Sequence, residues 1–453
     1  MKPALSAAEI ARAVKSGAKS ALEVTYDALD RIAMLDPSLI CFTKVQKESA
    51  LKTAVAIDAA IAAGEDPGPL AGVPFAVKDL FDVVGLPTTA GSTIYQNAPP
   101  ATEDAPVVKR LRDAGAILIG TLNMDEFAYG FATVNMHYGT TRNPHDMERL
   151  AGGSSGGSAA SVSAGLLPLT LGSDTNGSVR VPASLCGIFG LRPTHGALPV
   201  EGTFPFVDRL DTVGIFTRSI DDMRASFALT SARSDAPDNP ETPKVGLLGG
   251  WFQSSGQQLA LDAARTIAEA LGSTGEVEFP MTKSARSAAF ILTASEGGHR
   301  HIENLRTRPM DFDPATRDRL IAGALLPEKV IMDAETVAQI YINQMTEKLS
   351  DFDILVAPST PSTAPDISAG LIEIDGKMVS ARANLGLYAQ PLSLAGVPIL
   401  SVPLKRPPGA LPIGVQLVAA RGRENLLFDM AEKLVSMGLV EAELPVRIGE
   451  VAL

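Results

Sequence analysis

Apolar residues return every three to four positions in two opening stretches, "SAAEIARAVKSG" and "SALEVTYDALDRIAML". Each begins with a serine followed three residues later by a glutamate. Ser6-x-x-Glu9 and Ser20-x-x-Glu23 are capping-box spacings, in which the two side chains satisfy free N–H groups of a first helical turn. The pattern predicts two amphipathic helices, then a third over "ALKTAVAIDAAIAAG". It then changes. "GPLAGVPFAVKDLFDV" holds a short apolar run bounded by glycine and proline, as a buried strand does. "PVVKRLRDAGAILIGTLNM" reads as a helix, a glycine stop and another buried strand.

"LLPLTLGSDT" is a further buried strand, and "GIFGLRPTHGALP" reads as turn. "KVGLLGG" opens a β-α unit near residue 244, with "QQLALDAARTIAEALGS" as its helix. Residues 286–350 are helical and more charged. "DILVAPSTP", "GVPILSVPL" and "PIGVQLVAA" are late strands, and "NLLFDMAEKLVSMG" closes as a helix. There is no internal repeat and no long linker. Strands alternating with helices predict one large α/β unit over 1–453. A more variable, largely helical insertion is expected at about 245–350.

Composition narrows the function. With 45% hydrophobic and 20% charged residues the chain can build a large core. A net charge of −12 argues against nucleic acid or an anionic membrane as partner. No apolar run is long enough to span a bilayer, and the N-terminus lacks the apolar centre of a signal peptide. A cytoplasmic protein is expected, with Cys41 and Cys186 as reduced thiols.

The chemistry concentrates in "AGGSSGGSAASVSAGLLPLTLGSDTNGSVR", residues 151–180. A flexible linker fits poorly, because the run continues into apolar segments. A phosphate loop lacks its lysine. Gly-x-Ser-x-Gly occurs at both Ser154 and Ser155, the pattern of a nucleophile elbow, which would need His195, His299 or His301 as base. Ser178 follows a buried strand in Thr175-Asn176-Gly177-Ser178, a turn able to aim successive N–H groups at one point. A serine there needs a base, and Lys78 ends an apolar segment in "VPFAVKD". Burial would lower its pKa and free its amine to accept a proton. A surface lysine beside Asp79 is the alternative. "HRH" at 299–301 lacks the ligands that would complete a metal site, so no metal or cofactor is expected.

Together, "AGVPFAVKD", "TLNMDEFAYGF", "NPHD", "AGGSSGGSAASVSAG" and "SDTNGSVRVPAS-CGIFGLRPT" resemble the amidase signature family. "LAGVPILSVP" and "LPIGVQLVA" extend the resemblance from roughly residue 5 to 440. It implies a single large α/β/α sandwich, with a mixed sheet covered by helices, and a Ser-cisSer-Lys triad. Ser178 matches the nucleophile, Ser154 the bridging serine after a cis peptide, and Lys78 the base. The backbone N–H groups of Thr175, Asn176, Gly177 and Ser178 match the oxyanion hole, and Ser155 a supporting hydrogen-bonding serine. Asp174 and Arg180 are expected to brace the turn as an ion pair.

Within the family, Asn176 stands where glycine is usual. "DTNGS-RVPASLCGIFGL", "FPFVDRLDTVG", "DFDPATRDRLIAGALLP" and "ARANLGLYAQPLSLAG" resemble a 1-carboxybiuret hydrolase branch of cyanuric-acid degradation. "NMDEFAYG" is shared with the glutaminase component, the A subunit, of glutamyl-tRNA(Gln) amidotransferase. That component uses an aspartate to hold the α-ammonium of glutamine, and alignment on "LAGVP" puts Gly386 there. The resemblance therefore implies a small ureido acid rather than glutamine. Its carboxylate wants an arginine, with Arg306 the first choice and Arg308 and Arg319 the rivals. Tyr129, Asn384 and Gln390 are expected to line the pocket. The resemblance also implies a small helical partner chain, like the small C component of the amidotransferase, within an oligomer.

Overall fold

The computed structural model describes residues 4–231, 239–273 and 275–445. Both capping boxes form: the helix Ala7–Lys15 starts at Ser6 with Glu9 reaching back, and Ala21–Leu39 starts at Ser20 with Glu23. The second helix runs past its expected end through Pro37 and stops at Ile40, whose φ is +57°. The third helix is Lys47–Ala62.

Among the described residues, eleven strands build one sheet. In chain order they are β1 Phe42–Val45, β2 Pro74–Lys78, β3 Ile117–Leu122, β4 Leu169–Asp174, β5 Phe189–Arg192 and β6 Thr212–Thr217. There follow β7 Val245–Leu248, β8 Glu276–Val277, β9 Ile354–Pro358, β10 Ile399–Pro403 and β11 Gly414–Ala419. Their spatial order is β1-β3-β2-β4-β6-β5-β10-β11-β9-β7-β8. The sheet is mixed: β3, β2 and β4 run parallel, as do β9, β7 and β8, and the other neighbours run antiparallel. Helices cover the sheet in the α/β arrangement expected.

Two differences from the expected pattern matter. β5 lies in the middle of the sheet, inside the stretch that reads as turn. Its four residues are too short, and too closely flanked by glycine and proline, to carry a strand pattern of their own. β6 is absent from the expected strands altogether. Between 245 and 350 the chain is mostly helical, but β7 and β8 also extend the sheet at one edge.

The parallel pairing of β2 and β4, with Phe75 opposite Leu169 and Val77 opposite Leu171, brings the C-terminal ends of both strands to one place. In open α/β sheets that is the end where ligands collect. The serine-rich segment becomes the helix Gly156–Ser163, buried at every position. Its hydroxyls do not need water. Ser158 donates to the carbonyl of Leu171 at 3.0 Å and Ser163 to that of Cys186 at 2.7 Å. Small side chains let this helix lie close beneath the sheet, so the segment is core and not linker. Cys41 and Cys186 are buried and unpaired with each other. No described helix is long and apolar enough to cross a membrane.

Candidate active site

Lys78 is the last residue of β2 and is fully buried. Its Nζ donates to Ser154 Oγ at 2.7 Å and to Ser173 Oγ at 2.9 Å. No carboxylate pairs with it among the described residues. Burial pulls its pKa from the ordinary 10.5 down to about 7, although the carboxylates of Asp125, Asp174 and Asp211 pull the other way. Ser154 enters this contact from a loop whose Gly153–Ser154 peptide is cis. Ser155 N–H donates to the Ser178 carbonyl at 3.3 Å, tying the serine loop to the turn after β4. The Ser155 hydroxyl bonds the backbone of Ser173, donating to its carbonyl at 3.1 Å.

That turn is organised by Asp174, which ends β4. Arg180 grips its carboxylate through two bonds of 3.0 Å, and Arg192 adds a third at 3.0 Å. All three side chains are fully buried. Burial alone would raise the Asp174 pKa, but the two guanidiniums outweigh it and hold the carboxyl well below the usual range. The extra positive charge is spread over Gln416 Oε1 at 2.7 Å, Ser393 Oγ at 2.6 Å and backbone carbonyls. The N–H of Gly177 also donates to Asp174, at 2.7 Å. It is therefore engaged and does not face a substrate, which departs from the four-donor oxyanion hole expected. The N–H groups of Thr175, Asn176 and Ser178 have no acceptor among the described residues. Gly177 sits at φ +127°, and a Cβ there would lie 2.5 Å from Ala389 Cβ. Only glycine makes this turn.

Beside Ser178 is a narrow cavity of about 20 Å³ lined by Tyr129, Phe131, Asn176, Thr293, Arg319 and Gln390. A larger cavity of about 480 Å³ lies against His145, Arg149 and Arg406, and none of the residues above lines it. Tyr129 arrives on the loop after β3, where Phe127 and Ala128 take positive φ of 53° and 59°. Asp125 anchors this loop by accepting from the N–H groups of Ala132 and Thr133 at 3.1 and 2.8 Å. The hydroxyl of Tyr129 and Oδ1 of Asn176 are buried without a partner.

The arginine expectation is corrected. Arg306 is on the solvent side of the helix Ile302–Thr307, 72% exposed and paired with Glu303, because Leu305 takes the inward position. Arg308 turns to Asp311 and the carbonyl of Ile94. Arg319 is the one in the cavity wall. Its guanidinium lies 3.7 Å over the Tyr129 ring and donates to the Tyr129 carbonyl at 3.0 Å. Asn384 is not part of the cavity wall; with Gln390 it holds Arg286, a residue absent from the sequence expectations. The signal is present in the chain: Arg286, Phe290 and Thr293 are spaced i, i+4, i+7 on the helix Thr282–Arg300, which is one helical face. Ser173 and Arg192 are likewise additions made by the structure. Both are polar residues inside apolar strands, where burial demands a partner.

The model of the amidase family matches residues 23–428. The chain belongs to the amidase family. It is 44% identical over 450 residues to AtzE of Pseudomonas sp. strain ADP, one of the subunits of 1-carboxybiuret hydrolase, covering 95% of this chain and 98% of that protein. It is 35% identical to the A-type component of the glutamyl-tRNA(Gln) amidotransferase of Carboxydothermus hydrogenoformans, over 94% of this chain and 96% of that protein. A solved structure described as a vestigial protein complex of an s-triazine catabolic enzyme superposes with a TM-score of 0.93. It has 42% identity and covers 97% of this chain and 100% of its own. Both sequence relatives are subunits.

In this amidase the histidines stand apart from the serines. His195 bonds the carbonyl of Asp208 and His299 that of Ser295. His301 is buried among Phe127, Phe204 and Phe312, with neither ring nitrogen partnered. None of the three hydrogen-bonds Ser154, Ser155 or Ser178. Among the described residues no three His, Cys, Asp or Glu side chains gather as metal ligands.

Proposed function

We propose that this amidase hydrolyses the terminal C–N bond of a small ureido acid, 1-carboxybiuret, and releases ammonia. The observation that carries the chemistry is the buried Lys78 amine, without a carboxylate partner and 2.7 Å from Ser154 Oγ. At neutral pH a large share of this amine is unprotonated. It takes the proton of Ser154 as Ser154 takes that of Ser178. Ser178 Oγ attacks the terminal carbonyl carbon, and the oxygen's developing charge is met by the N–H groups of Thr175, Asn176 and Ser178. The proton returns along the same path to the departing nitrogen, which leaves as ammonia. Water then attacks the acyl-enzyme, with Lys78 again as base, and frees Ser178 and the dicarboxylated urea.

Arg319 is the fork for the substrate carboxylate, the role expected of Arg306. Glutamine is disfavoured by the space around Gly386. A Cβ there would meet the ring of Phe131, with Cε2 and Cε1 at 2.7 and 2.8 Å, so no acidic side chain reaches the pocket from this position. A cytoplasmic assembly with a small helical partner chain fits the kinship with two proteins that are themselves subunits.

The test is ammonia release from 1-carboxybiuret, biuret, allophanate and glutamine, by the chain alone and co-expressed with a small protein encoded beside it. 1-Carboxybiuret is expected to be the best substrate. Ser178→Ala, Lys78→Ala and Ser154→Ala are each expected to lose nearly all turnover while staying folded. Arg319→Ala is expected to raise KM about 10- to 100-fold, the loss of one charge-assisted contact. Glutamine as best substrate would move the assignment to the amidotransferase side of the family. A fully active monomer that binds no small chain would remove the partner.

A further inference from the structure

Arg286 has no carboxylate partner among the described residues. Its Nε–H donates to Gln390 Oε1 at 3.0 Å, and Nη2 donates to Asn384 Oδ1 at 2.8 Å. This settles a question that an amide side chain usually leaves open. A guanidinium has only donors, so the atom of Gln390 that faces it is the carbonyl oxygen. The amide nitrogen of Gln390 then faces away from Arg286. Gln390 is 2% exposed and lines the cavity beside Ser178, and its Nε2 meets no acceptor among the described residues. Asn384 is locked the same way, with Nδ2 donating to the Ser380 carbonyl at 3.0 Å.

We propose that Arg286 is a positioning residue that fixes Gln390 as a hydrogen-bond donor to a carbonyl oxygen of the substrate. The rest of the wall completes a polarity pattern. Arg319 and the Tyr129 hydroxyl offer further donors, and Asn176 Oδ1 is a buried acceptor without a partner. A ureido acid presents the complement: carbonyl and carboxylate oxygens that accept, and N–H groups that donate. Free rotation of the Gln390 amide would present oxygen to oxygen half of the time. The role of Arg286 is to forbid that rotation while touching no substrate atom. The inference rests on the ureido-acid reading for its substrate, but the donor assignment holds for any amide with a carbonyl oxygen at that point.

The test is a double-mutant cycle between Arg286→Met and Gln390→Met, measured with whichever amide of the substrate panel the wild type turns over best. The identity of that amide tests the ureido-acid reading; the cycle tests this inference. Each single variant is expected to raise KM about tenfold, the loss of one oriented hydrogen bond, with kcat within about threefold. The double variant is expected to be no worse than either single, because Arg286 acts only through Gln390. Multiplicative losses in the double variant overturn the proposal, since Arg286 would then meet the substrate itself. An unchanged KM in Arg286→Met overturns it as well. If Arg286→Met does not fold, Arg286→Gln, which no longer dictates which atom it faces, enters the same cycle. Failure of both to fold makes Arg286 a structural residue and ends the proposal.

Discussion

Replacing Lys78 by methionine removes the base, and it should also make the protein more stable in a way that depends on pH. The side chain keeps its length and loses a buried amine. In the folded chain that amine titrates at about 7, against an ordinary 10.5. A gap of roughly 3.5 pH units is worth about 5 kcal/mol at 1.36 kcal/mol per unit. The sign follows from proton binding. Below pH 7 the lysine is charged in both states, and the folded state bears the full cost of burying the charge. Between 7 and 10.5 the unfolded chain holds a proton that the folded chain lacks, so stability rises with pH and the cost fades by about 1.4 kcal/mol per unit. The variant has no such slope. It also loses the bonds to Ser154 and Ser173, about 1 kcal/mol each, which lowers its advantage by the same amount at every pH. Urea unfolding of both proteins at pH 6.5, 8 and 9.5 measures the difference. The advantage of Lys78→Met should be largest at pH 6.5 and should shrink by about 2 kcal/mol between pH 8 and 9.5. A difference that stays constant from pH 7 to 10 would mean that the folded lysine keeps its proton throughout. The neutral-base argument would then fall.

Three further outcomes are expected. The kcat/KM profile should rise with pH through about 7, as the Lys78 amine loses its proton, and this limb should survive substitution of His195, His299 and His301; its loss in any single histidine variant would reassign the base. Gly386→Asp should cost about 1–3 kcal/mol by crowding Phe131 and should not create glutaminase activity; a stable variant that hydrolyses glutamine would contradict the steric argument. Arg192→Met should cost about 3–5 kcal/mol in urea unfolding, because it strips one of two cations from the buried Asp174; a loss under about 1 kcal/mol would show that Arg180 alone suffices.

The N-terminal helices are legible in the chain because Ser6, Glu9, Ser20 and Glu23 state their boundaries locally. β2, β3 and β4 are legible because both faces of each are covered, which leaves unbroken apolar runs. β5 is not, since "FGLR" becomes a strand only when β6 and β10 pair with it, and that pairing joins distant parts of the chain. Of the two hydroxyls meeting Lys78, that of Ser154 can be named from its motif, and that of Ser173 is found only once β2 and β4 lie side by side. The fate of the Gly177 N–H cannot be read from a motif, because it depends on where the carboxylate of Asp174 points. The sequence alone does not separate Arg306 from its rivals Arg308 and Arg319. Which arginine faces inward is decided by Leu305 on one helix and by the rings of Tyr129 and Phe290 on the other.

The cutting apparatus and one side of the pocket, with the residues that brace that side, come from different stretches of the chain. Lys78 and Asp174 stand on strand ends, Ser154 on the loop with the cis peptide, and Ser178 on a turn that admits only glycine at 177. Arg286, Thr293, Arg319, Asn384 and Gln390 stand on helices from later in the sequence. A descendant lineage can therefore exchange one nitrogen compound for another by rewriting a handful of codons in the second group while leaving the first untouched. Kinship between a hydrolase of a small ureido acid and a protein serving tRNA is what such an arrangement permits. It also directs the engineer: libraries aimed at new amides belong on the helix Thr282–Arg300 and the segment 381–393, not on the serine loop.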